Sequence, residues 1–248
     1  MNGGYDYDIL PTTWKARVLL ALAFAFSPAL VLLRLMLPVP AYESGNPCAP
    51  QGYPDCLQAQ DALAADALDS CGGSGNHFCL VPLGRISPDL VRRLVEHYDQ
   101  EYGLRVGMLA PIAIPEDLVN QDRGQVDALD LAELIETQFP RDSHNDYVIL
   151  IGLTPVDMYI GTSDWRYAFG LRSPEPVIST SRMDPAFFGH SADDDLMASR
   201  ARKLVSKYIG LFYYHLPPSD DPESPMFNNI LSPADLDRMS EPLPVVSY

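Results

Sequence analysis

Basic residues are scarce in this chain: 17 Lys and Arg stand against 33 Asp and Glu, a net charge of −16 over 248 residues. Between Arg34 and Arg85 there is neither Lys nor Arg. Residues 39–248 hold 14 basic and 31 acidic side chains, so polyanions are repelled from this part and nucleic acid is excluded as a partner. Cysteine is confined to Cys48, Cys56, Cys71 and Cys79, with no Cys-x-x-Cys spacing. That spacing argues against a zinc knuckle or a haem attachment site. Histidine occurs five times, at His77, His97, His144, His190 and His215, too dispersed to suggest a ligand set. There is no Gly-x-Ser-x-Gly elbow, no internal repeat and no low-complexity tract beyond residues 38–76, which removes the α/β-hydrolase nucleophile and the solenoid folds.

What is present begins with an apolar run. Val18 to Leu33 carries no charge, and after Arg34 the run continues to Pro38. Twenty-one residues at 1.5 Å each cover roughly the 30 Å of a bilayer core. Lys15 and Arg17 precede the run, so the positive-inside bias leaves residues 1–17 cytoplasmic and puts the body of the chain on the other side. A cleaved signal peptide is the competing reading, with small residues around Val39-Pro40-Ala41; the acidic leader with Asp6 and Asp8, Arg34 and Pro38 speak against it. In an extracytoplasmic protein four clustered cysteines predict two disulfides, by any of three pairings. Free thiols or a metal are the alternatives.

The chain therefore divides into a cytoplasmic segment 1–17, a transmembrane helix 18–38, a disulfide-stapled neck 39–79 and a folded domain 80–248. The neck holds one helical stretch near Asp55 to Asp69. Strands are expected at His77 to Leu83, Arg105 to Ala110, Asp146 to Leu153 and Pro176 to Ser181, with short edge segments at Val156 to Gly161 and Trp165 to Leu171. Ser87 as N-cap, Pro88 at the first helical position and Gly103 beyond the end bound one amphipathic helix. A second runs from Asp127 to Phe139, burying Leu129, Leu131, Leu134 and Ile135. A long last helix, Asp194 to Tyr214, stops before Pro217-Pro218.

The blocks LVPLG (80 to 84), RGQVDALDLAELI (123 to 135), ILIGLTPVDMYI (149 to 160), YAFGLRS (167 to 173), VISTSRMD (177 to 184) and MFNNILSPADLDRM (226 to 239) follow one another with the order and spacing of archaemetzincins. Over residues 80–239 the chain resembles that family. The resemblance implies an α/β fold, a metzincin-like domain in which a mixed twisted sheet is packed with helices, here preceded by one N-terminal transmembrane helix. It also implies a zinc metalloprotease with the signature HExxHxxGxxHC. Two histidines one helical turn apart and a third beyond a glycine turn hold the ion, and a glutamate takes the proton of its bound water.

Without gaps, the ligand positions of that pattern fall on Ser206, Gly210 and Leu216, the glutamate on Lys207 and the glycine turn on Tyr213. Lys207 puts a cation where an anionic base is needed. The helix is therefore expected to run on toward Tyr214. Pro217 and Ser224 stand at the first two of the family's four cysteine ligands, and the end EPLPVVSY has no Cys-x-x-Cys. Met226 matches the methionine of the Met-turn and is expected to pack under the last helix. His215 lies one residue short of the third ligand position. Ser206 beside Lys207 is no Ser–Lys catalytic pair, because adjacent helix residues point about 100 degrees apart. Asp193, Asp194, Asp195, Asp220 and Asp221 read as solvated loop, with an oxygen-rich cation site as the alternative.

These departures lead to the expectation of a protein that is not an enzyme and holds no cofactor or metal: a pseudo-metalloprotease domain serving as accessory subunit of a membrane complex, such as a respiratory or photosynthetic one. Its partners are then integral membrane subunits and lipid, met by Arg34, Pro28 and Trp14. The alternatives are an extracytoplasmic peptide-binding or regulatory module and a zinc metalloprotease with unorthodox ligands. Aromatics near the former cleft (Trp165, Tyr167, Phe169, Phe187, Phe188, Phe212, Tyr213, Tyr214) are core or an apolar docking surface, with Trp165, Tyr167, Tyr213, Tyr214 and His215 the docking candidates. Tyr159 to Gly161 is the expected edge strand along the cleft.

Overall fold

Five strands make the main sheet of the computed structural model, which describes residues 53–75 and 77–242. The strands are β1 (Phe78–Pro82), β2 (Val106–Met108), β5 (Ile149–Thr154), β7 (Gly170–Leu171) and β8 (Val177–Ser179), in the order β2-β1-β5-β8-β7. All neighbours are parallel except β7, which runs antiparallel to β8 at the edge. A second, three-stranded ribbon joins β3 (Val119–Asn120), β4 (Gln125–Asp127) and β6 (Met158–Tyr159). The transmembrane run, with Trp14, Pro28 and Arg34, lies outside the described residues, as does Cys48. Among the described residues no helix is long and apolar enough to cross a membrane.

The period of two in β1 sorts its side chains to two cores. Phe78 and Leu80 join Leu94, Tyr98, Ile151, Leu204, Val205 and Tyr208 on one face, while Cys79 and Val81 join Leu131, Ile135, Leu150 and Val177 on the other. Both faces of the sheet are covered, as parallel strands require. On the first face lie α3 (Pro88–Tyr102) and α6 (Asp194–Phe212), on the second α4 (Ala128–Gln138). Shorter helices are α1 (Tyr53–Leu57), α2 (Asp61–Ala64), α5 (Pro140–Ser143) and α7 (Pro233–Arg238).

The expected caps of α3 are in place. Ser87 accepts from Leu90 N–H, and Gly103 closes α3 at φ 61°. Asp127 caps α4 and Asp193 caps α6 through their side chains. The buried face of α4 differs from the expectation: Ala128, Leu131, Ala132 and Ile135 are inside, whereas Leu129 is exposed. The helix is rotated by the need to lay Ile135 against the bare backbone of Gly152 in β5, where any Cβ would meet Ile135 Cδ1 at 2.7 Å. The single neck helix is instead two short ones, α1 and α2.

Of the three possible pairings, the structure selects Cys71–Cys79, with Cα atoms 5.9 Å apart. Cys56 is also disulfide-bonded. Cys79 is the second residue of β1, so this bridge fastens the segment before the domain directly into the sheet.

Candidate functional site

Helix α6 carries the positions singled out above, and its residues part in three directions. Ser206 is fully buried against α3: Tyr98 Oη donates to Arg202 O at 2.8 Å, so the Ser206 hydroxyl donates to Tyr98 Oη at 2.9 Å. Burial pushes the Tyr98 phenol well above its ordinary pKa, keeping it a neutral donor. Ser206 is thus a core residue, facing away from any cleft.

Gly210 faces the loop that follows α6. A Cβ there would lie 2.7 Å from Met226 Sδ and 3.5 Å from Leu216 Cδ1. Met226 is buried. The helix ends at Phe212 rather than Tyr214, and the chain reverses at His215, which takes φ 51°. Leu216 N–H then returns to Gly210 O at 2.9 Å, a bond that spans six residues and ends the helix in a left-handed turn. Positions 210, 216 and 226 therefore do meet, and they fill their corner with a thioether and a leucine side chain. His215 is exposed beyond the turn.

Lys207 and Tyr208 face the third way, into a cavity of about 330 Å³ between α6, residues 164–170 and residues 228–231. The cavity runs along residues 164–170, of which only Gly170 belongs to β7, while Ala168 N–H donates to Met158 O of β6 at 2.9 Å. Tyr159, in β6, pairs with Asp127 of β4 and does not line the cavity, so the segment beside the cleft is 164–170 rather than the expected Tyr159 to Gly161. Gly170 is needed for the fit: a Cβ there would stand 2.2 Å from Tyr208 Oη. Lys207 is buried, and burial, assisted by the nearby Arg172 charge, lowers its pKa to about 8. Tyr208 is buried too, and burial raises its phenol. Among the described residues neither Lys207 Nζ nor Tyr208 Oη meets a hydrogen-bond acceptor.

The rim of the cavity is fixed by groups that the sequence did not single out. Arg123 Nη2 donates to Trp165 O at 3.2 Å and Arg166 O at 2.9 Å, and Gln125 Nε2 donates to Arg166 O at 3.0 Å. Gln125 also donates to buried Asp157 at 2.8 Å, whose two oxygens take a forked pair of bonds from Arg182 at 2.8 and 2.7 Å. The Arg182 guanidinium stacks 4.0 Å over the Tyr167 ring, and Tyr167 Oη crosses to Leu231 O at 2.7 Å.

Of the five docking candidates, Trp165 and Tyr167 line the cavity. Tyr213 packs on Phe78 and on Tyr214, with ring centroids 4.8 and 4.9 Å apart, at the other end of the helix turn. Tyr213, Tyr214 and His215 do not line the cavity. The acidic clusters at 193–195 and 220–221 assemble no set of three or more His, Cys, Asp or Glu able to hold a metal among the described residues.

No protein-family model and no curated protein matches the chain. Solved structures with this fold include a zinc-dependent peptidase from Methanocorpusculum labreanum, 21 % identical with TM-score 0.54 over 67 % of this chain and 95 % of that one. Archaemetzincin from Methanopyrus kandleri is 26 % identical with TM-score 0.51, covering 66 % of this chain and 86 % of its own. Archaemetzincin from Archaeoglobus fulgidus, complexed with malonate, is 19 % identical with TM-score 0.50, covering 65 % and 91 %. The expectation of a protein that is not an enzyme is overturned by this comparison, because the chains that share its architecture are zinc-dependent peptidases. The fold is mixed α/β and metzincin-like, and its structural neighbours are archaemetzincin-like zinc-dependent peptidases.

Proposed function

We propose that this chain is a peptide-binding protein on a peptidase fold, which seats an extended polypeptide segment in the cleft beside α6. The carrying observation is the cavity of about 330 Å³ between residues 164–170 and α6. An extended peptide laid in this cleft is held by its side chains entering the pocket rather than by strand pairing, since Trp165 O, Arg166 O and Ala168 N–H are already bonded within the domain. Trp165, more than half exposed at the mouth, supplies a rigid aromatic contact of the kind enriched at such surfaces.

The fold implies zinc, but the residues at its usual ligand positions do not fit the ion. Ser206 is engaged with Tyr98, Gly210 offers no donor, and Leu216 is apolar. No metal-dependent step is therefore assigned to these positions. Peptide cleavage is the second reading, favoured by the fold itself, and the polar groups that face a bound peptide in this cleft are Lys207 and Tyr208.

The apolar segment 18–38 holds this domain at a membrane, on the non-cytoplasmic face, next to integral membrane subunits; the uncharged run and the disulfides support that placement. The test uses the full chain extracted in mild detergent. Size-exclusion should recover it with a stoichiometric partner set, and fluorescent peptides should bind it and be displaced by unlabelled ones. Mass spectrometry of the same peptides reads cleavage. A free monomer that neither binds nor cleaves peptides sinks the proposal.

A further inference from the structure

Three buried cations of α6 invite comparison. Arg200 forms a forked pair with Asp237, both bonds 2.7 Å. Lys203 Nζ donates to Leu236 O at 2.9 Å and Asp237 O at 3.2 Å. Lys207, one turn further and only 7 % exposed, has no acceptor among the described residues, and the charge that acts on it is another cation, Arg172. The Lys207 stem is buried while its ammonium opens on the cavity, where no acceptor or counter-charge among the described residues meets it. Beside it Tyr208, 3 % exposed, brings a second donor to the same wall with no acceptor.

From this juxtaposition we infer that the cleft is a carboxylate seat: Lys207 Nζ and Tyr208 Oη receive the carboxylate of the bound polypeptide. The inference rests on the peptide-binding reading and names the chemistry of the peptide. A carboxylate supplies the acceptors both donors lack, and its charge offsets the two cations. An ammonium or guanidinium ligand would meet two like charges. Asp164, at the mouth, is exposed to water and is screened. The same carboxylate can belong to an Asp or Glu side chain or to a chain terminus.

The experiment measures binding of the detergent-extracted full chain to four pools of randomised decapeptides lacking Asp and Glu and bearing a neutral fluorophore. One pool has a free C-terminal carboxylate, the second a C-terminal amide, the third an amide and one central Glu, the fourth an amide and one central Gln. The expected result is about tenfold tighter binding of a carboxylate pool than of its neutral twin. Preference for the first over the second assigns a terminus, and preference for the third over the fourth assigns a side chain. Lys207→Met should erase the preference of each carboxylate pool over its neutral twin. Arg172→Gln, at an exposed position, should weaken it about twofold. Equal binding of charged and neutral twins overturns the carboxylate seat but leaves the peptide cleft standing. Failure of all four pools to bind overturns both.

Discussion

Lys203 and Lys207 lie one turn apart on the same helix, both with little exposed surface and both held below the ordinary lysine range by burial, yet their surroundings differ. Around Lys203, α7 closes over the amine and offers two carbonyl oxygens. Around Lys207, the wall is residues 164–170 and a cavity, and no acceptor is offered. A cation that the fold satisfies is part of the scaffold. A cation that the fold leaves unsatisfied stores a destabilisation that a bound anion can relieve, and this contrast separates the structural from the functional stretch of α6.

The largest effect should come from Asp157→Ala, which strips the rim of its anchor and leaves Arg182 and Gln125 without their shared acceptor. A loss of about 3–5 kcal/mol is expected in urea unfolding, since one partner of a buried pair remains uncompensated. Peptide binding should fall with it, because residues 164–170 are held through this network. Lys203→Met should destabilise by about 2 kcal/mol, by orphaning the carbonyls of Leu236 and Asp237.

Lys207→Met should act in the opposite sense and stabilise the protein, by up to about 3 kcal/mol at pH 7. The sign follows from linkage. The folded pKa, about 8, lies below the ordinary 10.5, so between these values the unfolded chain binds more protons and stability rises with pH. Thermal unfolding at pH 7 and pH 10 checks it: the advantage of the variant should be full below pH 8 and fade toward pH 10.5. A variant that unfolds earlier than the parent at pH 7 would erase the distinction between the two lysines.

Two smaller effects sharpen the boundary between filled corner and open cleft. Gly210→Ala pushes a methyl into Met226 Sδ and should cost about 1–2 kcal/mol, with peptide binding unchanged. Ser206→Ala loses one hydrogen bond, while Tyr98 keeps its bond to Arg202 O; about 1 kcal/mol is expected, again without change in peptide binding.

Much of the fold was legible locally. Ser87, Pro88 and Gly103 bound their helix because caps act within a few residues, and the apolar runs at 78–82 and 149–154 announced strands buried on both faces. The facing of α4 was not legible, since Leu129 and Leu131 are equally apolar and only the notch at Gly152 chooses between them. The end of α6 was misplaced by two residues for a similar reason. His215 adopts a left-handed conformation that carries no signature in a histidine, and the six-residue bond from Leu216 to Gly210 becomes visible only in three dimensions.

What the sequence determined by itself is the scarcity of cations, the apolar run at 18–38, the order of elements and the identities at 206, 207, 210 and 216. These are properties of composition and short-range periodicity. Tertiary structure alone decided that Cys71 pairs with Cys79, that Ser206 turns into the core, that Met226 and Leu216 fill the corner at Gly210, and that Lys207 opens on a cavity without a protein acceptor. Each depends on groups far apart in the chain, brought together by burying the sheet on both faces, and no local pattern encodes which distant side chain will arrive.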